Sequence, residues 1–219
     1  MNIHNAKHIQ NTGSAMAIYN HILQTRLADS PHRLKMITLS VGNFPIDAID
    51  WALKLSNRSF NNLLERKFTK KAIRQSLRIA FKTSRHKYKQ IKRWTWSLHR
   101  KSVKDVITGG WRKIELERAS RSEKIYNLHI HILCECSFLP QPILSVLWES
   151  VLLKDFQGET CSSEGIVHIQ DVKNTEQDIT KVINYMAKPI PVARRKRFKN
   201  TRLYATFGDW YNKNDNYLS

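Results

Sequence analysis

Residues 111–134 read WRKIELERASRSEKIYNLHIHILC, and the fold depends on how this stretch pairs. Apolar and polar residues alternate on both sides of the polar segment ASRSEK, which is the pattern of two antiparallel strands joined by a loop. We place the strands at Trp111–Arg118 and Ile125–Cys134. Side chains alternate between the two faces of a strand, so one face of this hairpin is apolar and belongs to the core. Its members are Ile114, Leu116, Leu128, Ile130 and Ile132.

The rest of the chain predicts helices and short strands around this hairpin. A strand precedes it at Lys35–Gly42, a helix starts at Pro45, and a basic helix covers Thr69–Leu98 with a break near Thr83–Arg85. The pair Gly109-Gly110 predicts a turn. The elements expected after the hairpin are a helix from Pro140, a strand over 165–169, a helix over Thr175–Lys188 with a capping box at Thr175 and Asp178, and a strand over Arg202–Phe207.

This order of elements predicts an α+β fold. A central antiparallel β-sheet is flanked by helices, mostly on one face, and a long basic helical insertion separates the first strand from the hairpin. We assign residues 34–208 to one domain and residues 209–219 to a C-terminal tail. Residues 1–33 are polar, and we interpret them as an N-terminal extension that is loosely attached.

Charge is the most informative feature of the composition. The 219 residues include 37 Lys and Arg but only 18 Asp and Glu, which gives a formal net charge of +19. Such a charge attracts polyanions, and one small acidic substrate does not require it. The three cysteines are too few for a disulfide framework. We find neither an apolar signal segment nor a run of 18 apolar residues, so we expect a cytoplasmic protein with no membrane partner.

The basic residues form two clusters that are candidates for DNA contact. Fifteen lie between Arg66 and Lys104, a stretch without Asp or Glu, and a second group lies near the end of the chain. The residues we select are Arg74, Arg78, Lys82, Lys181, Arg194, Arg195, Lys196 and Arg197. Aromatic residues interleave with the first cluster and could stack on unpaired bases. Core packing is the commoner role, and we expect it for Phe81, Trp94 and Trp96.

The polar face of the hairpin carries a second pattern. If the apolar faces of both strands point into one core, His129 and His131 share the other face with Glu115 and Glu117. Imidazole and carboxylate groups together suit a divalent cation such as Mg²⁺ or Mn²⁺. The alternative is a solvated patch without a metal, because His-x-His is a common pattern. Zinc is disfavoured, since Cys134 and Cys136 fall on the opposite face and no Cys-x-x-Cys pair occurs.

A tyrosine on the late helix is the third candidate. Ile179, Val182, Ile183 and Met186 form an apolar stripe at helical spacing, which leaves Tyr185 on the other side between Lys181 and Lys188. Nearby cations favour the phenolate and can bind a phosphate, and a tyrosine so placed can act as a covalent nucleophile. An interfacial tyrosine that packs its ring and solvates its hydroxyl is the commoner alternative.

Three segments together resemble a known family. MITLSVGN (36–43), YNLHIHIL (126–133) and INYMAK (183–188), in this order, resemble the motifs of rolling-circle replication initiators (Rep proteins) of small bacterial plasmids, in the single-tyrosine group of the HUH endonuclease superfamily. The resemblance covers about residues 34–208 and implies an HUH/RRM-like sheet. Single-tyrosine transposases share the motif order but usually lack the long basic insertion. Asn127 and Lys181 stand where many relatives have a histidine and a glutamate, and the second departure puts the termination step in doubt.

The resemblance implies a metal-dependent, site-specific single-strand endonuclease. His129, His131 and Glu115 would hold Mg²⁺ or Mn²⁺, Tyr185 would attack the scissile phosphate of origin DNA and stay attached to the 5′ end, and Lys188 would hold the phosphate. The freed 3′-hydroxyl would prime synthesis, with a host helicase and the host replication machinery as partners. Two further alternatives are a non-catalytic nucleic-acid binder and a ribosomal-type basic protein.

Overall fold

A computed structural model describes residues 13–27, 33–83, 85–119, 125–156, 166–173, 175–188 and 202–210. The helices and strands, in chain order, are α1 (Gly13–Leu27), β1 (Arg33–Pro45), α2 (Ile49–Leu64, after a short 3₁₀ turn at Ile46–Ala48), α3 (Lys70–Thr83), α4 (Arg85–Ser97), β2 (Ile107–Arg118), β3 (Ile125–Cys136), α5 (Gln141–Asp155), β4 (Val167–Asp171), α6 (Glu176–Ala187) and β5 (Tyr204–Gly208). None of the helices in these ranges has the length and apolar character needed to cross a membrane.

The strands form one antiparallel sheet in the order β4-β1-β3-β2-β5. The hairpin β2–β3 is at its centre, with Glu115 opposite His129 and Lys113 opposite His131. On the other side of β3, Thr38 of β1 is opposite His131. The predicted α+β class and antiparallel sheet are confirmed, and α2, α3 and α4 form the insertion between β1 and β2. Helix α3 ends at Thr83 and α4 begins at Arg85, and the residue between them, where a break was expected, lies outside the described residues.

Helices cover both faces of the sheet. The main core lies on the face of Leu39, Ile114 and Ile130, which α2, α3 and α5 cover with their apolar sides. Trp148 of α5 is fully buried there, and its indole N–H donates a 2.7 Å hydrogen bond to the Ser40 carbonyl of β1. This bond satisfies both polar groups in the interior and fixes α5 on the sheet. The other face is covered by α1 and α6.

The expectation that the N-terminal segment is loosely attached is wrong for residues 13–27. Ala15, Ile18, Tyr19 and Ile22 recur at helical spacing and are all buried, in one cluster with Trp111 of β2 and Ile183 of α6. The Tyr19 hydroxyl also donates a 2.8 Å hydrogen bond to Glu176 of α6. Trp210, which follows β5, is buried in the same cluster.

The turn predicted at Gly109-Gly110 is also wrong, because both glycines lie inside β2. A side chain at Gly110 would place its Cβ 2.6 Å from the Leu133 carbonyl oxygen and 2.9 Å from Cζ of Phe207. A Cβ at Gly109 would lie 2.8 Å from Cδ1 of Trp210. These glycines therefore allow close approach between packed elements, which is the other common use of glycine in a strand.

Three aromatic residues of the basic helices are not in the core. Phe81, Trp94 and Trp96 are 48%, 53% and 37% exposed, so the expectation of core packing is wrong for all three. The inward sides of the two helices are filled by smaller residues, among them Ile73 and Leu77 of α3 and Thr95 of α4. The aromatic rings lie on the remaining, outward sides.

Candidate active site

The polar face of the central hairpin has the composition that the alternation predicted. Glu115 and His129 are directly opposed across β2 and β3, and His131 shares their face. Ile114, Leu116, Leu128 and Ile130 are buried in the main core on the opposite face. Cys134 and Cys136 also belong to that core, so they lie behind the histidines. The predicted division of the hairpin into a polar and an apolar face is confirmed.

Helix α6 brings a tyrosine to this face. Its N-terminus is capped by Thr175, whose hydroxyl oxygen accepts a 3.2 Å hydrogen bond from the Asp178 N–H and donates a 2.7 Å bond to the Asp178 carboxylate. The predicted N-cap at Thr175 is thereby confirmed, but the Asp178 carboxylate accepts from the Thr175 hydroxyl, whereas in a capping box it accepts from the backbone N–H. Ile179, Ile183 and Met186 are buried against the sheet, which fixes the rotation of the helix. Tyr185 lies outside this apolar stripe, is 41% exposed, and reaches the edge of the hairpin's polar face.

Tyr185, His131 and Glu115 form a hydrogen-bonded triangle. The phenol donates to Glu115 Oε2 at 2.9 Å, and its oxygen lies 3.1 Å from His131 Nε2. The third side joins His131 Nε2 to Glu115 Oε2 at 2.9 Å. The other ring nitrogen of His131, Nδ1, is 3.1 Å from the Thr38 hydroxyl, which fixes the orientation of the imidazole. Residues from β2, β3 and α6 thus meet at one phenolic oxygen, and Thr38 of β1 supports the imidazole from its other ring nitrogen.

The surroundings shift the pKa values of the three groups in different directions. The hydrogen bond from His131 and the charge of Lys113 lower the pKa of Glu115 to about 2, so this carboxylate is ionised at neutral pH. Burial and the bond to Glu115 raise the pKa of Tyr185 above its ordinary value, so the resting phenol keeps its proton. Burial and the neighbouring His131 lower the pKa of His129, which favours the neutral imidazole that a metal ion binds.

Lys113 is a member of the site that the sequence analysis missed. Its side chain is 1% exposed, and its ammonium lies 3.3 Å from Glu115 Oε1 and 5.4 Å from the centre of the Tyr185 ring. The signal was available in part, because Lys113 is two residues from Glu115 and shares its face. What the sequence does not give is the strand register that sets Lys113 opposite His131.

Other selected residues lie farther from the phenol. His129 is on the same face as His131, with ring centres 6.0 Å apart. Lys188 follows the last turn of α6, where its carbonyl accepts a 3.0 Å hydrogen bond from Tyr204, and its side chain is exposed. Arg74, Arg78 and Lys82 are exposed on α3, on the opposite side of the sheet from Tyr185. The selected residues Arg194, Arg195, Lys196 and Arg197 lie outside the described residues.

The side chains on this face are of the types that bind a divalent cation. Two imidazoles and one ionised carboxylate share the face, and Asn127 adds a buried Oδ1 that has no hydrogen-bond partner within the described ranges. In the present rotamers Glu115 and His131 bond to each other and to Tyr185. Accordingly, in the part of the chain that is described, no three His, Cys, Asp or Glu side chains are arranged around one point as ligands.

A cavity of about 450 Å³ opens beside the phenol. Its lining includes Tyr185 and His131 together with the charged residues Lys173, Lys181, Asp171 and Asp178. A cavity of this size, with cations beside a phenol, has room for a small anionic group such as a nucleotide. Comparison with known proteins found no matching family model, no matching curated protein and no matching solved structure.

Proposed function

We propose that this protein initiates rolling-circle replication by nicking one strand of origin DNA. The observation that carries the proposal is the contact of the Tyr185 phenol with both Glu115 and His131 on a chain of net charge +19. A tyrosine that only packs its ring does not need a carboxylate and an imidazole converging on its hydroxyl. The excess of positive charge makes a polynucleotide the substrate class that fits best.

The proposed step replaces one phosphodiester with another. Tyr185 Oη attacks the scissile phosphorus, a phosphorus–Oη bond forms, and the bond from phosphorus to the 3′-oxygen breaks. The phenolic proton leaves along its existing hydrogen bond to Glu115, because Nε2 of His131 already donates to that carboxylate. The 3′-oxygen takes up a proton from solvent and becomes the free hydroxyl that primes synthesis. Unwinding and extension fall to a host helicase and the host replication machinery.

The chain's own residues prepare this step in three ways. The contacts of Glu115 and His131 hold the phenolic oxygen in one position, so the phenol is oriented before the substrate binds. Lys113 places a positive charge behind the ring, which stabilises the phenolate as it forms. Lys173 and Lys181 line the adjoining cavity and offer cations to the phosphates next to the scissile one. Lys188 is exposed just after α6 and would add a further cation.

The residues that would hold Mg²⁺ or Mn²⁺ are His129, His131 and Glu115, with the Asn127 side-chain oxygen as a further donor. A cation bound there would polarise the scissile phosphate and would offset the negative charge of Glu115. That charge is one of the causes that raise the pKa of Tyr185.

A covalent-adduct assay tests the proposal. Single-stranded oligonucleotides with a 3′ fluorophore, tiling both strands of the DNA around the gene, are incubated with the protein in Mg²⁺ or Mn²⁺ and separated under denaturing conditions. We expect one oligonucleotide to yield a labelled band at the mass of protein plus 3′ fragment. Chelation of the metal and the Tyr185→Phe substitution each abolish this band.

Tyr126→Phe is the matched control, because it removes one hydroxyl from β3 on the opposite face of the sheet. This variant is expected to form the adduct at the wild-type rate. If the wild type forms no adduct with any oligonucleotide in either metal, the protein is a non-catalytic nucleic-acid binder. An adduct that survives Tyr185→Phe contradicts the assignment of the nucleophile.

A further inference from the structure

The outward sides of α3 and α4 carry the same arrangement of side chains. On α3, Arg74, Arg78 and Phe81 are exposed at i, i+4 and i+7, and on α4, Lys89, Arg93 and Trp96 repeat that spacing. Residues at this spacing lie along one side of a helix. Each helix thus presents two cations followed by one aromatic ring. We call these six residues the α3–α4 surface.

The α3–α4 surface is separate from the active site. Helix α3 packs on α5 and joins the main core through Ile73 and Leu77, whereas Tyr185 lies on the other face of the sheet with α1 and α6. A polynucleotide at Tyr185 must therefore pass around the molecule to reach α3. The two helices pack together, and the rings of Phe81 and Tyr88 meet at 5.3 Å between centres.

The charge of the two regions also differs. The chain has no Asp or Glu between residues 66 and 104, so the α3–α4 surface carries cations without interleaved acids. The cavity beside Tyr185 instead mixes Lys173 and Lys181 with Asp171 and Asp178. The surface with the stronger attraction for a polyanion is thus the one away from the nucleophile.

We propose that the α3–α4 surface is a second binding site, specific for a single-stranded polynucleotide. Arg and Lys side chains contact its phosphates, and Phe81 and Trp96 stack on its unpaired bases. Duplex DNA keeps its bases stacked inside and cannot use the rings in this way. An anionic membrane would require a continuous apolar side, but the apolar side of α3 is already buried in the core. The site does not depend on chemistry at Tyr185, and under the proposed function it retains the strand displaced during replication.

Fluorescence anisotropy with labelled dT₂₀ tests this site in the full-length protein. We expect Trp96→Ala and Phe81→Ala each to weaken dT₂₀ binding about tenfold, because each removes one stacked base, and to leave binding of a 20-base-pair duplex within twofold. The double variant Arg74→Gln/Arg78→Gln is expected to reduce the slope of log K against log salt by about 1.4, since each single-strand phosphate contact contributes about 0.7. Labelled rU₂₀ in parallel shows whether RNA binds as well as DNA does.

Two matched controls separate this proposal from the proposed function. Trp51 of α2 is 42% exposed and lies outside the α3–α4 surface, so Trp51→Ala should bind dT₂₀ like the wild type. Tyr185→Phe should also bind dT₂₀ normally, while Trp96→Ala still forms the covalent adduct with a saturating short oligonucleotide. If the wild type forms no adduct, the proposed function alone is overturned, and the dT₂₀ measurements still decide the second site.

Three results would overturn the second site. The first is wild-type dT₂₀ affinity in both aromatic variants. The second is that the aromatic variants lose duplex binding as much as dT₂₀ binding, which would indicate that the surface binds nucleic acid by charge and not by stacking on bases. The third is that the wild-type protein binds phosphatidylserine vesicles and the aromatic variants do not, although these variants still bind dT₂₀.

Discussion

Lys113 provides the sharpest test of the proposed attack by Tyr185, because its charge would stabilise the phenolate. Its ammonium lies 5.4 Å from the centre of the Tyr185 ring and is almost fully buried. At this distance and an effective dielectric constant of about 20, one unit charge stabilises an opposite charge by about 3 kcal/mol. Tyr185 is 41% exposed, and screening by solvent reduces the figure to ~1.5–3 kcal/mol. Loss of the charge is therefore expected to slow adduct formation by about 10- to 200-fold.

The substitution Lys113→Met removes the charge and keeps most of the side-chain volume. Glu115 loses one partner but retains His131 and Tyr185, and a buried ammonium is replaced by an apolar group. We expect these effects on the free energy of unfolding to offset each other to within ~1 kcal/mol. Single-turnover adduct formation, measured at saturating oligonucleotide, then reports the change in the chemical step.

Lys35→Met is the control for removal of a buried lysine. Lys35 is 6% exposed and forms its ion pair with Asp171, on β4, and not with Glu115. This variant should form the adduct at nearly the wild-type rate. If Lys113→Met and Lys113→Gln both fold and react as fast as the wild type, the electrostatic role assigned to Lys113 is wrong.

Two further predictions concern stability. The pKa of Glu115 falls from 4.5 to about 2 on folding, so its contribution is present above pH 4.5 and is lost as the pH falls towards 2. After a discount for partial exposure, the free energy of unfolding in urea at pH 7 should be ~1–2 kcal/mol higher for the wild type than for Glu115→Gln. At pH 2 the two free energies should be almost equal. A difference that does not change with pH would contradict the low pKa assigned to Glu115. Thr175→Ala removes the cap of α6 and should lower the free energy of unfolding by ~1 kcal/mol, or the melting temperature by about 2–4 °C. The control is Ser145→Ala, which removes an exposed hydroxyl that bonds to the Gln141 carbonyl within α5. It should lower the free energy of unfolding by less.

The fold was predictable where local pattern and burial agree. Alternation in 111–134 gave the correct faces of the hairpin, and the spacing of Ile179, Ile183 and Met186 gave the buried side of α6. The errors occurred where long-range packing decides the outcome. Gly109 and Gly110 suit a turn by local preference, but here they admit Trp210 and Phe207, which are about 100 residues away in sequence. The apolar side of α1 is short, and only its contact with α6 reveals that it is core.

The candidate site was predictable in its members but not in its contacts. Alternation places His131 and Glu115 on one face, and helical spacing leaves Tyr185 outside the apolar stripe of α6. Neither pattern states that α6 lies over β3, nor that its tyrosine points back to the sheet. That orientation depends on how Ile183 and Met186 pack with Leu133 and with α1, which is a property of the assembled chain.

The arrangement of α1 has a consequence for the position of Tyr185. Tyr185 is held in place by the packing of α6, and α6 is held between the sheet and α1 through the buried cluster and the bond from Tyr19 to Glu176. Weakening α1 should therefore let the phenol move away from Glu115 and His131, although no residue of α1 touches any of these three groups among the described contacts. A segment that resembles an extension in the sequence thus contributes to the geometry on which the proposed chemistry depends, because positioning to within a fraction of an ångström requires every element that packs against the nucleophile's helix.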